Sequence, residues 1–299
     1  MFYRSILLIK HILYGGLTIL FILHTANGYA DENNDYIQQV ATGSINWTKG
    51  LVRSKGISNE TRKYQEDGNF ETLTINNAIE QARNNLLKTV YKVKIDAFTQ
   101  LEKIIDYNKD IQEKIFSMVD SIPVVNQNFI ADGTAEAIIE MPMFNGFSQL
   151  VLPHEITQIA AIKPILNEKP HSVDKTENNS SQQSMTAEYT GLVVNAAGLN
   201  AVPAMAPKIL DERGEQVYGA AYASRNFAVQ IGMCLYVKDF HEALKNERVG
   251  ENPLVVHGIR THDTGFSDIV ISNAEASKIR SSSKNITFLK QCRVVIVLD

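Results

Sequence analysis

The 299-residue chain has few of the residues and patterns that mark a catalytic or cofactor-binding protein. It contains two cysteines and one tryptophan. It has neither a P-loop nor a Gly-x-Gly-x-x-Gly pattern, and none of its serines lies in a Gly-x-Ser-x-Gly elbow. These absences exclude the common nucleotide-binding and serine-hydrolase motifs. We therefore expect a protein that is not an enzyme and has no cofactor.

The chain also lacks an excess of positive charge. Its net charge is −4, and it becomes about two units more negative if Arg4 and Lys10 are removed with an N-terminal signal. Nucleic-acid binding needs a concentrated basic face, and anionic lipid surfaces attract basic segments. We expect no nucleic-acid partner. With 44% hydrophobic and 21% charged residues, the composition is that of a globular protein.

The N-terminus has the layout of a secretory signal. Arg4 and Lys10 precede an uncharged apolar run from Ile12 to Leu23, and small residues stand at Gly28 and Ala30. The run of about 12 residues is shorter than the roughly 20 that a spanning helix needs. We predict a signal peptide over 1–30, cleavage after Ala30 and no membrane span in the mature chain. An uncleaved anchor is the alternative.

A polar segment divides the mature chain. Residues 167–186 carry almost no branched apolar side chains and cannot bury enough surface to order themselves. They predict a flexible linker between a first domain over 31–166 and a second over 187–299.

The first half predicts a long helix packed on a small antiparallel sheet, an α+β domain. Apolar residues recur at spacings of three and four from Ile75 to Ile104, and the branched residues of 89–95 indicate that the helix ends there. A second, short helix is predicted over about 110–119. A strand over about 45–52, containing Trp47, is expected in the same sheet.

A hairpin in this half has a register that can be predicted. A three-residue loop over 131–133, with Gly133 left-handed, places Phe129 opposite Ala135 and Val125 opposite Ile139. Glu136 and Glu140 then lie on the solvent side of the sheet.

The second half predicts a mixed-sheet α+β domain. A loop that ends at Gly214 places Ile209 opposite Val217. A buried strand over 268–271 leads into a helix that begins with a capping box at Ser272 and runs to about residue 282. The run 292–298 is typical of a central strand. Strand, helix and strand suggest a right-handed crossover beside an otherwise antiparallel set.

Three groups of residues are candidates for chemistry. Cys234 and Cys292 form either one disulfide in an oxidising compartment or two buried free thiols, and the sequence leaves both open. His257, His262 and Asp263 are weak candidates for a metal site, because two histidines five apart need a bend to converge. Ser272 and Asn273 are candidates for an anion site, since backbone N–H groups at a helix start can hold an anion.

Short strand and turn phrases in the chain resemble a known family. The first half resembles the module shared by the twenty-kilodalton bacterial lipoprotein family and the N-terminal part of a flagellar H-ring assembly protein, on the phrases 45–50, 82–87, 132–137 and 140–142. The second half is similar to a C-terminal region of secreted bacterial proteins with that module, on 207–211, 252–256 and 268–274. Unlike the lipoproteins, this chain has no cysteine to lipidate.

The resemblance brings no active-site residues. It implies an exported protein of a Gram-negative envelope, in the periplasm or associated with the outer membrane, that acts by protein–protein contacts in envelope or flagellum-associated assembly. Its partners would be envelope proteins or further copies of itself. A periplasmic small-ligand or anion-binding protein is the alternative.

Overall fold

The structure is a computed structural model that describes residues 34–59, 69–130, 132–156 and 188–299. The predicted signal peptide and linker lie outside these residues, and the domain boundaries stay predictions. The described part belongs to one compact unit with two sheets, so the α+β prediction is confirmed. Within the described residues, no helix is both long enough and apolar enough to cross a bilayer.

The first sheet is antiparallel and has the strand order β1-β2-β3-β5-β4. Burial alternates along β5 because one sheet face lies on α1 and the other faces solvent. In chain order its elements are β1 (Ile37–Val40), β2 (Gly43–Asn46), β3 (Leu51–Asn59), α1 (Phe70–Tyr91), α2 (Leu101–Tyr107), α3 (Lys109–Ser121), β4 (Val124–Phe129), β5 (Thr134–Pro142) and α4 (Gly146–Val151).

Helix α1 approaches β3 unusually closely. A Cβ added to Gly56 would stand 2.0 Å from the carbonyl oxygen of Ala78, so only glycine lets the two backbones meet here. Ser54 Oγ donates to the carbonyl oxygen of Ala82 at 2.7 Å. The helix ends at Tyr91, inside the branched stretch where the sequence predicts its end, and α3 confirms the second predicted helix.

The predicted hairpin is confirmed at its loop and wrong at its far end. Phe129 pairs with Ala135, and Gly133 has φ 91°. Val124, not Val125, pairs with Ile139, because the register shifts between Val124 and Asn126. The extra residue of this bulge leaves Val125 exposed.

The predicted strand over 45–52 is two strands joined by a turn. β2 ends at Asn46 and β3 begins at Leu51, both in the first sheet as expected. Gly50, with φ 62°, provides the left-handed residue of the turn. Trp47 lies in this turn and is buried.

The second sheet has the order β8-β7-β11-β10-β6-β12-β9 and is mostly parallel. Strands β11 and β12 are buried along their whole length. In chain order its elements are β6 (Gly191–Asn195), β7 (Ile209–Leu210), β8 (Gln216–Tyr218), α5 (Arg225–Ile231), β9 (Leu235–Val237), α6 (Phe240–Lys245), β10 (Pro253–His262), β11 (Asp268–Ile271), α7 (Asn273–Arg280), α8 (Ser283–Lys290) and β12 (Val294–Val297).

Two predictions for this sheet are wrong in detail. β12 is an interior strand as predicted, but its neighbours are β6 and β9, both parallel to it. It runs antiparallel to β11, since β11 pairs antiparallel with β10 and β10 is parallel to β6. The predicted crossover therefore does not exist, and the set is not otherwise antiparallel. Ile209 pairs with Tyr218 instead of Val217, because the register shifts between Ile209 and Leu210.

The two sheets are joined by backbone hydrogen bonds and by ring packing. Met205 N donates to Lys94 O at 2.9 Å, and Ala206 N donates to Ile95 O at 2.8 Å. Trp47 meets Tyr236 edge to face, with ring centroids 5.9 Å apart. Both backbone hydrogen bonds and a side-chain contact therefore fix the position of one sheet against the other.

Candidate functional site

The N-terminus of α7, the predicted anion site, is occupied by a carboxylate of the chain itself. Ser272 Oγ accepts from Glu275 N at 3.2 Å and donates to Glu275 Oε2 at 3.0 Å, so the predicted cap is confirmed. The backbone N–H of Asn273, which a bound anion would use, donates to Glu212 Oε2 at 2.8 Å. An external anion would have to displace Glu212.

The histidines that were weak metal candidates make separate contacts. The His257 backbone N–H donates to Glu275 Oε1 at 3.0 Å, and its Nδ1 lies 3.4 Å from the same oxygen. His262 Nε2 lies 3.0 Å from Asp263 Oδ2. Across the described ranges, no three His, Cys, Asp or Glu side chains come together as a metal site would require.

The two cysteines are free thiols, and both are buried. Of the two alternatives that the sequence left open, the structure therefore has the two buried free thiols and not the disulfide. Burial raises the pKa of Cys234 to about 12 and also raises the pKa of Cys292. Without a bound metal, both thiols are therefore protonated at neutral pH.

The carboxylates on the solvent side of β5 are paired with cations from the neighbouring strand. Glu136 Oε1 lies 2.6 Å from Lys55 Nζ, and Glu140 Oε1 lies 3.4 Å from Arg53 Nε. These are cross-strand ion pairs of an ordinary solvated face.

Asp211 is a buried carboxylate that the sequence did not single out as a site residue. Its Oδ1 accepts from the backbone N–H groups of Arg213 and Glu215, and its Oδ2 accepts from Arg280 Nη1 at 2.9 Å. Burial acts to raise the pKa of Asp211, but the hydrogen bonds from Arg280 and the two backbone groups outweigh it and lower the pKa to about 2. Asp211 thus fastens the β7–β8 hairpin to α7.

A groove lies where the two sheets meet, and we call it the junction groove. Its volume is about 490 Å³. One wall comes from the turn 96–99 of the first half, and the other comes from the β7–β8 side of the second. It is lined by Asp96, Ala97, Phe98, Thr99, Pro153, Glu155, Ala206, Lys208, Gln216, Ala220, Ala221 and Asp268.

The charged groups that line the junction groove are mostly acidic. Asp96 Oδ1 accepts from the backbone N–H groups of Phe98 and Thr99, each at 2.9 Å, and so holds its own turn. Asp268 Oδ1 accepts from Lys208 N at 2.9 Å. Burial raises the pKa of Asp268, with a smaller contribution in the same direction from the Asp96 carboxylate. The lining residues therefore include three carboxyl groups and one lysine, and Lys94 is a second cation that interacts with Asp96 and Asp268.

One exposed phenylalanine lines the groove, and a second follows a glycine that packs against the groove residue Ala97. Phe98 is 55% exposed and Phe266 is 47% exposed. Phe266 follows Gly265, which packs against Ala97: a Cβ added to Gly265 would stand 2.1 Å from the Ala97 carbonyl oxygen. Lys94 Nζ donates to the carbonyl oxygen of Gly265. No local sequence signal predicts this arrangement, since its parts come from distant segments.

Fold and groove together describe an α+β protein whose candidate site lies between two sheets. A family model described as Treponema pallidum Tp0624, second domain, matches residues 191–299. The matched range contains every strand of the second sheet. No curated protein matches the chain. The C-terminal part is thus similar to a domain of a bacterial protein.

Proposed function

We propose that this chain is an exported, non-catalytic protein of a Gram-negative cell envelope that works by binding another envelope protein during assembly. The observation that carries the proposal is the junction groove with its two exposed phenylalanines. Exposed aromatic residues beside a concave surface are a common feature of protein–protein contacts.

The chemistry of the groove favours a particular partner segment. Asp96, Glu155 and Asp268 outnumber Lys208, so a positively charged side chain is complementary. Phe98 offers apolar surface in the groove, and Phe266 offers more next to Gly265, which packs against the groove residue Ala97. The partner is then an extended segment of an envelope protein with a basic residue next to an apolar one.

Three further observations support the envelope setting. Residues 1–30 have the layout of an export signal, and the phrases quoted above resemble an envelope and flagellar module. The family that matches residues 191–299 is described from a bacterium. Association with the flagellum rests on the resemblance alone.

Photo-crosslinking in cells tests the proposal. A benzophenone amino acid replaces Phe98 in the full-length chain, and in a matched control it replaces Phe116 of α3, which is 59% exposed. We expect a discrete adduct at position 98, absent at position 116, with an exported protein identified by mass spectrometry. Adding Asp96→Asn, which keeps the turn's hydrogen-bond acceptor but removes the charge, should weaken the adduct.

Equal labelling at both positions, or an adduct only with cytosolic proteins, would contradict the proposal. An adduct that Asp96→Asn leaves unchanged would contradict the charge complementarity.

The second candidate is a periplasmic small-ligand binder that uses the same groove. Its volume falls in the range of about 300–1,000 Å³ typical of ligand sites, and its carboxyl groups favour a small amine over an anion. An amine that raises the Tm of the wild type but not of Asp96→Asn would support this candidate. For the anion version at Ser272 and Asn273, phosphate should raise the Tm of Glu212→Gln more than that of the wild type.

A further inference from the structure

A second, much smaller cavity between the sheets is lined in part by four sulfur-containing residues. Met143, Met205, Met233 and Cys234 all line it. The described residues contain five methionines and two cysteines, so three of the five methionines and one of the two cysteines meet at this point. They come from both halves of the molecule, Met143 from the end of β5 and the others from the second half.

The remaining lining offers little to a polar ligand. Ser148 Oγ donates to Met143 O at 2.5 Å. The Tyr236 hydroxyl donates to Ala204 O at 2.8 Å and accepts from Ala204 N at 3.0 Å. Both hydroxyl groups therefore already have backbone partners. A buried water needs two to four polar partners, and hard cations need oxygen ligands.

The size of the cavity restricts its occupant further. Its volume is about 20 Å³, enough for about one water-sized particle and far below what an organic ligand needs. Met205 and Cys234 are 8% and 7% exposed, which gives solvent access on their side. A single dehydrated ion is of the right size.

We propose that this cavity is a binding site for a soft monovalent cation of the copper(I) class, held by the sulfur atoms of Met143, Met205, Met233 and Cys234. Thioether and thiolate sulfur are the ligands that select Cu(I) over hard metals. As the bond between Cys234 sulfur and the metal forms, the S–H bond breaks and its proton leaves to solvent. One cation and one thiolate then make the site neutral, whereas a divalent ion would leave a positive charge buried.

The position of Trp47 provides a direct measurement. It is the only tryptophan in the chain, and it lines the same cavity. We expect one equivalent of Ag(I), used as a redox-inert probe of the same class, to quench its fluorescence in the reduced full chain without oxygen. Cu(I) delivered from a chromophoric chelator should give the same stoichiometry, and Zn(II) should give no quenching.

Leucine substitutions separate ligation from packing. Leucine replaces methionine with little change of volume, so Met143→Leu with Met205→Leu should fold while Ag(I) affinity falls by about tenfold or more, the scale of losing metal-site partners. Met141→Leu is the matched control, because Met141 is buried two residues before Met143, near the end of β5, but does not line the cavity. Cys234→Ser should weaken binding more than Cys292→Ser.

Absence of quenching by Ag(I) would overturn the proposal and leave a packing cavity. Quenching of equal affinity in the wild type and in the Met143→Leu, Met205→Leu variant would also overturn it, because the ion would then be bound elsewhere. The measurement does not depend on the proposed protein partner.

Discussion

In β5, buried residues alternate with half-exposed ones, whereas in β11 and β12 every residue is buried. The first sheet is antiparallel and has helix α1 against one face. The second is mostly parallel, and β11 and β12 are covered on both faces, whereas the interior strand β10 is buried only at alternate residues of its first half. Alternating and continuous apolar patterns therefore report how many faces of a sheet are covered.

Alanine substitutions at neighbouring positions test this difference with the largest expected effects. In β5, Ile139→Ala should cost about 2–5 kcal/mol of unfolding free energy, but Ile138→Ala only about 1 kcal/mol, because Ile138 is half-exposed. In β12, Val295→Ala and Ile296→Ala should both be costly, at about 2 kcal/mol or more each. Denaturant titration measures all four values.

Equal costs at Ile138 and Ile139 would show that both faces of the first sheet are covered. A negligible cost at either β12 position would show that one face of the second sheet is open.

A glycine substitution tests the contact specific to the first sheet. Gly56→Ala should destabilise by about 1–3 kcal/mol, because its Cβ would overlap the backbone of α1 and the helix must move away. Gly146→Ala is the control, since its Cβ would meet only Met118 Cε at 3.5 Å. It should be neutral or stabilising by up to about 1 kcal/mol. A Gly56→Ala protein as stable as the wild type would disprove the close approach.

A pH series tests the buried carboxylate of the second half. We expect its effect on stability to be smaller than those of the alanine and glycine substitutions. The folded-state pKa of Asp211 is about 2, below its ordinary value of 3.8. The stabilisation is therefore present above about pH 4 and is lost as the pH falls towards 2. The Tm of Asp211→Asn should lie below that of the wild type by a constant amount from pH 7 to 5, and this gap should narrow below pH 4.

Asp110→Asn is the control for this series, because Asp110 makes only an exposed ion pair with Lys114. A gap for Asp211→Asn that stays constant down to pH 2 would contradict the lowered pKa.

Local patterns predicted some of the elements, whereas short elements such as β1, α2, α5 and α6 were not predicted and the irregularities of strand pairing had no sequence signal. The end of α1, the loops at Gly133 and Gly214 and the Ser272 cap all follow from residue types within a few positions. The bulges near Val125 and Val217 each insert one residue, and no residue in either strand marks the place. The crossover from β11 to β12 failed for a different reason, because β10 and β6 lie between them and only the whole sheet determines that order.

The candidate sites were less predictable than the fold. The junction groove brings Asp96 and Asp268 to one place through the contact of two sheets, and Met143 meets Met233 in the same way. At α7 the sequence predicted the capping serine but not Glu212, which arrives from a separate hairpin and fills the space where an anion was expected. Short-range reasoning identifies groups with binding capacity, but only tertiary structure determines which of them are already used.

The hydroxyl of Thr48 donates to the outward carbonyl oxygen of Tyr236, at 2.7 Å, on the open edge of β9. The first half thus satisfies a carbonyl group on a strand edge that is otherwise free to pair with another chain. A fragment that starts at Glu188 would lose this hydrogen bond and the ring of Trp47 together. Recombinant expression of the C-terminal half alone should therefore give self-associating material, and Thr48 with its turn acts as a built-in guard against aggregation.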